Sequence, residues 1–102
     1  MKSKLQNRLE SGLSAITAEI MPPRGGDANS ALSKALKLKE IVHGFNVTDG
    51  SRAIMRMSSL ALCKLLLEAN LEPILQLSCR DRNRIALQAE LLGAHALGIK
   101  NI

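Results

Sequence analysis

The chain has 102 residues, 46% hydrophobic and 23% charged, which suits one small globular domain with one core. It has no run of about 18 apolar residues that could span a membrane, and its start, "MKSKLQNRLESG", lacks the apolar stretch of a secretory signal, so a cytoplasmic setting is expected. The net charge of +5 brings nucleic acid to mind, but Phe45 is the only aromatic and the basic residues are scattered apart from "RDRNR" at 80–84, so no nucleic-acid partner is expected.

In chain order, Leu5, Leu9 and Leu13 stand four apart and predict a short amphipathic helix over residues 2–12, ended by Gly12. "LSAITAEI" reads as a short buried strand. Pro22 and Pro23 cannot donate to a ladder, so residues 21–27 form a loop. Asp27 is the expected N-cap of a helix whose inner side carries Ala31, Leu32, Ala35, Leu36 and Leu38. "HGFNVT" is the second strand and "DGSRAIMRM" a loop. Ser58 or Ser59 caps a third helix that ends at Asn70. "EPILQLS" is the third strand, opened by Pro73. Asp81 is the expected cap of the last helix, and "IKNI" reads as the start of a fourth strand. Cys63 and Cys79 have no metal-ligand spacing and read as free thiols, so no metal site is expected.

The order is a helix, then strand and helix three times, then a strand. Glu19, Val47 and Leu77 mark strand ends about 28 to 30 residues apart, which is the spacing of βαβ units in a parallel sheet. Right-handed crossovers put the helices on one side of a barrel or on both sides of an open sheet. The strands are apolar at most positions, as for strands covered on both faces. Parallel strands bring their C-terminal ends to one rim, so Glu19, Thr48 with Asp49, and Gln76 to Ser78 converge there.

The rim pattern supports a more specific reading. "AEIMPPRGGD", "FNVTDGSRAIMRM" and "LQLSCRDRNRIALQ" follow one another in order and spacing that resemble the N-terminal portion of methylenetetrahydrofolate reductases, bacterial branch. The resemblance covers about residues 14–102. It implies an α/β fold: a partial TIM (β/α)8 barrel of about three βα units and the start of a fourth strand, with residues 1–13 as a preceding helix and 14–102 as the βα units of a single incomplete domain. It also implies FAD, reduced by NAD(P)H, that passes a hydride to methylenetetrahydrofolate in one-carbon and methionine metabolism. Glu19 matches the family's acid at the end of strand one. Thr48 matches a residue beside the flavin, and Asp49, next to it on the rim, is expected either to contact the cofactor or to form the turn before Gly50. Gln76 stands where many relatives carry a histidine, near flavin and folate. The family's aspartate after strand four has no counterpart in these residues, and a barrel usually takes roughly 250 residues. The chain is read as an N-terminal fragment of such a reductase, and a homo-oligomer or a partner chain is one way in which the barrel could be completed. The alternative is a truncated or accessory half-barrel without activity of its own.

On this reading Glu19 is a general acid. The folate ring opens to an iminium only if the departing nitrogen is protonated. The neighbours in "AEIM" are expected to surround the acid with apolar groups, which disfavours the charged form, and Pro22 and Pro23 stiffen the strand end. Read without the resemblance, Glu19 is an exposed strand-end acid paired with Arg24. Arg52 and Arg56 could meet a pyrophosphate or a folate glutamate tail, or form solvated loop charge. Arg80 and Asp81 could touch a phosphate or form surface ion pairs. His43 and His95 have no expected functional role.

Overall fold

The computed structural model describes all 102 residues. Four α-helices, Lys4–Glu10 (α1), Asn29–Lys37 (α2), Ser59–Glu68 (α3) and Arg84–Ala96 (α4), alternate with three strands, Thr17–Ile20 (β1), Gly44–Val47 (β2) and Pro73–Leu75 (β3). The strands are parallel in the order β1-β2-β3, with Glu19 opposite Asn46 and Val47 opposite both Ile20 and Leu75. No helix is long and apolar enough to cross a membrane.

Strand alternation decides where the core sits. Ile20, Phe45, Val47 and Leu75 point to one face and join Ala31 and Ala35 of α2, Leu62, Cys63 and Leu66 of α3 and Ala94 of α4 in a single cluster. These three helices therefore cover one face only. The other face carries Thr17, Glu19, Asn46, Ile74 and Gln76 and is uncovered. The expectation of strands apolar and covered on both faces is corrected here: β1 buries only Ile20, because the residues that alternate with the core positions are mostly polar. Helices on a single side of a three-stranded parallel sheet are consistent with part of a barrel wall.

Other boundaries shift for local reasons. α1 buries none of its leucines (Leu9 is 56% exposed) and is held instead by polar bonds. The Ser3 hydroxyl caps it, accepting from the Gln6 N–H, and donates in turn to Asn101 Oδ1 at 2.6 Å. The expected caps at Asp27 and Asp81 are displaced. Ala28, which has no capping side chain, takes the N-cap position of α2, while Asp27 lies one residue earlier and accepts from the Asn29 N–H. Asn83 caps α4 through the Ala86 N–H, and Asp81 is turned to Arg80. Ser58 caps α3 as expected. After α3, Asn70 takes the left-handed conformation at φ 61. "IKNI" is not a strand, yet it lies where one would begin. The Leu75 N–H donates to the Asn101 carbonyl at 2.9 Å, and Asn101 Nδ2 donates to Glu72 Oε1 and the Pro73 carbonyl. Asn101 thus joins α1, the start of β3 and the end of the chain.

Candidate functional site

The C-terminal ends of the strands form one rim, held by ladder bonds that run past the strands themselves. The Thr48 N–H donates to the Ile20 carbonyl and the Gln76 N–H to the Val47 carbonyl, each at 3.2 Å. The Gln76 carbonyl accepts from the fully buried Ser59 hydroxyl, so α3 fixes this strand end from the helix side.

Glu19 lies on the uncovered face of β1, level with Asn46 of β2. Adjacent strands lie about 4.8 Å apart, which puts Glu19 roughly 10 Å across the sheet from β3. The apolar enclosure expected from "AEIM" is not found. Ala18 and Ile20 alternate to the helix side, β1 is an edge strand, and the Glu19 side chain is exposed. Nor does it pair with Arg24, since the ion pairs are Lys2–Glu10, Arg80–Asp81 and Arg82–Asp49. Glu19 shares a cleft with Met21, Pro22, Lys34 and Arg56.

Thr48 is 6% exposed, and its buried hydroxyl has no hydrogen-bond partner. Buried hydroxyls nearly always find one, so this group has unused bonding capacity at the rim. Gln76 is exposed, and its side-chain amide makes no hydrogen bond within the chain. Asp49 is already engaged. It accepts from the Ser78 N–H at 2.7 Å and from both terminal nitrogens of Arg82. Burial alone would raise its carboxyl, but the hydrogen bonds from Arg82 and Ser78 and the Arg82 and Arg80 charges outweigh that, holding it below the usual carboxylate range.

The loop between them is strained. Gly50, Arg52 and Ala53 all have positive φ, at 56°, 60° and 57°. For the two residues with side chains that conformation is costly, and such strain concentrates at functional sites. Arg52 is exposed. Arg56 turns back to the first loop, where Nη1 donates to the Pro22 carbonyl at 3.0 Å. Arg80 bonds Asp81 and the Gly50 carbonyl. The rim thus gathers Glu19, Thr48, Asp49 and Gln76 from three strand ends. Sequence reading missed Arg82 as the partner of Asp49; opposite charges at two successive strand ends were the available signal. His43 belongs to the opposite end of the sheet, where its Nδ1 accepts from the Ile16 N–H and its backbone N–H donates to the Ile16 carbonyl.

Comparison with curated proteins yields no match. The family profile described as methylenetetrahydrofolate reductase matches residues 4–102, nearly every residue described above. On that match the chain belongs to the methylenetetrahydrofolate reductase family, a family of folate-related oxidoreductases that are generally flavin-dependent.

Proposed function

We propose that this chain forms the first part of a flavin-dependent barrel that reduces 5,10-methylenetetrahydrofolate to 5-methyltetrahydrofolate with NAD(P)H, in the cytoplasm. Residues 1–13 are its leading helix and 14–102 its first βα units. The observation that carries this reading is Glu19 on the open face of the sheet, at the rim of a chain whose family match spans residues 4–102.

The residues present fit FAD. Thr48 offers a buried hydroxyl without a partner, Gln76 an exposed amide one strand over, and the face between them is uncovered. Bound FAD would supply the hydride. Thr48 and Gln76 would hold the flavin, and Gln76 would also reach the folate. Asp49 would act through Arg82, fixing the loop beside Thr48, more than by direct contact. Glu19 would give a proton from its carboxyl to the folate nitrogen that leaves the methylene carbon. The strands that complete the barrel would then enclose Glu19 and supply the apolar surroundings that this edge strand lacks. They would come from a longer chain or from a partner. The uncovered face and open β1 edge also favour a second reading, an accessory half-barrel that works only with a partner chain.

The test is Glu19→Gln in the assembled barrel. Folate reduction should fall by about 10²-fold or more, as for loss of a general acid, while flavin reduction by NAD(P)H stays near its original rate, since only the folate step needs the proton. Stopped-flow measurement of the two half-reactions decides. Equal slowing of both would make Glu19 a structural residue.

A further inference from the structure

The loop after β1 has little of its own to hold it. Pro22 and Pro23 have no N–H to donate, and nothing lies within 4 Å of where a Cβ would sit on Gly25 or Gly26. Its fixed points come from another segment. Arg56 Nη1 donates to the Pro22 carbonyl at 3.0 Å, and the Met57 N–H donates to the Pro23 carbonyl at 2.8 Å. Two successive carbonyls are therefore pinned by two successive residues of the loop after β2. Pro22 is fully buried, so the pinned point is the packed one. Arg56 gives something up for this contact, because its Nε is buried without a partner. A buried donor left unsatisfied is costly, and the charge-assisted bond to Pro22 offsets that cost.

Glu19 lies three residues before Pro22 on an edge strand with one neighbour only. The strand end is thus fixed on one side by the β2 ladder and beyond it by Arg56. We propose that Arg56 is a positioning residue for Glu19: by tying the Pro22 carbonyl to the loop after β2, it sets the place of the acid relative to Thr48. The inference rests on Glu19 being the proton donor. Arg56 lines the same cleft as Glu19 but makes no hydrogen bond or ion pair with its carboxylate. Its effect reaches Glu19 through the backbone.

The experiment compares Arg56→Met and Arg56→Lys with the parent in the assembled enzyme. With Arg56→Met, the folate half-reaction should slow about tenfold, the equivalent of ~1.4 kcal/mol. Flavin reduction by NAD(P)H and the Kd for FAD, read by flavin fluorescence, should stay within about twofold. Lysine keeps a single donor able to reach Pro22 and should recover most of the lost folate rate. Hydrogen exchange of the Met57 amide supplies a readout independent of activity and should speed up in Arg56→Met and much less in Arg56→Lys. Parallel loss in both half-reactions, unchanged folate reduction, or lysine behaving like methionine would each overturn the role of Arg56. If Arg56→Met does not fold, Arg56→Lys and its Met57 exchange decide: a folate rate as low as that of Glu19→Gln, or exchange as fast as in the unfolded chain, overturns it. Glu19→Gln run alongside keeps the two ideas apart, since equal slowing there removes the acid role whatever Arg56 does.

Discussion

Arg82 holds Asp49 with both terminal nitrogens, Nη1 on Oδ2 and Nη2 on Oδ1, the latter at 3.1 Å. Arg82 Nη1 also donates to the Ser78 carbonyl, and the Ser78 N–H donates back to Asp49. The loops after β2 and β3, which carry Thr48 and Gln76 at their starts, are thereby locked together. The side chains are 18% and 11% exposed, so the pair is largely shielded from water and salt.

Asp49→Asn should accordingly destabilise the fold. Asparagine can still accept from the Ser78 N–H, but its amide group faces Arg82 without attraction. Hydrogen bonds to charged groups contribute about 1.5–3 kcal/mol. In a domain of about 100 residues each 1 kcal/mol moves Tm by roughly 4–8 °C. A thermal melt should show a drop on the order of 10 °C, whereas a change under about 2 °C would mean the pair contributes little.

The same pair sets a pH dependence. Asp49 has a lowered folded-state pKa, so its contribution is fully present above the unfolded value of about 3.9 and is lost as pH falls through the lower folded value. The parent should lose Tm steeply below about pH 4, and Asp49→Asn less steeply in the same window. Parallel acid limbs for the two proteins would contradict the assignment.

The two cysteines should differ in reactivity. Cys63 is fully buried on α3, and burial pushes its thiol up to about 12, while Cys79 is exposed on the rim. The thiolate is the reactive form. A thiol reagent at pH 8 should therefore label one cysteine quickly and the second only as fast as the chain unfolds. Rapid labelling of both would mean that the α3 core opens easily.

The isolated 102 residues should self-associate. The uncovered sheet face is mostly polar, so the drive comes from elsewhere: the free edge of β1, and Ile85 and Leu92, seven apart on α4 and 69% and 74% exposed. Sedimentation should show oligomers, reduced by Ile85→Lys with Leu92→Lys. A sharp monomer peak for the parent would refute this.

FAD should bind these residues alone only weakly. Thr48 and Gln76 are two strand ends of the several a flavin spans, and each ~1.4 kcal/mol of missing contact costs tenfold. Fluorescence quenching should give no stoichiometric binding at low micromolar FAD, and stoichiometric binding would show that three strands suffice.

The type and order of the four helices and three strands were legible in the sequence because hydrophobic period, proline and capping residues act locally: Ser58 before α3, Pro73 opening β3 and the apolar runs around Phe45 and Leu62 all read correctly, whereas the strand expected at "IKNI" does not form. The family was legible too, from the acid, threonine and "CRDRNR" at their spacing, and with it the rim that gathers Glu19, Thr48, Asp49 and Gln76. What surrounds each of those residues was settled only in three dimensions. Apolar neighbours in sequence suggested an enclosed Glu19, yet strand alternation sends Ala18 and Ile20 to the opposite face and leaves the acid open. Asp49 and Arg82 are 33 residues apart, and Arg56 and Pro22 are 34 apart, so neither contact has a local signature. Such partners are chosen by which strands pair and which loops then meet at the rim, and that depends on the packing of the whole sheet rather than on any short stretch of chain.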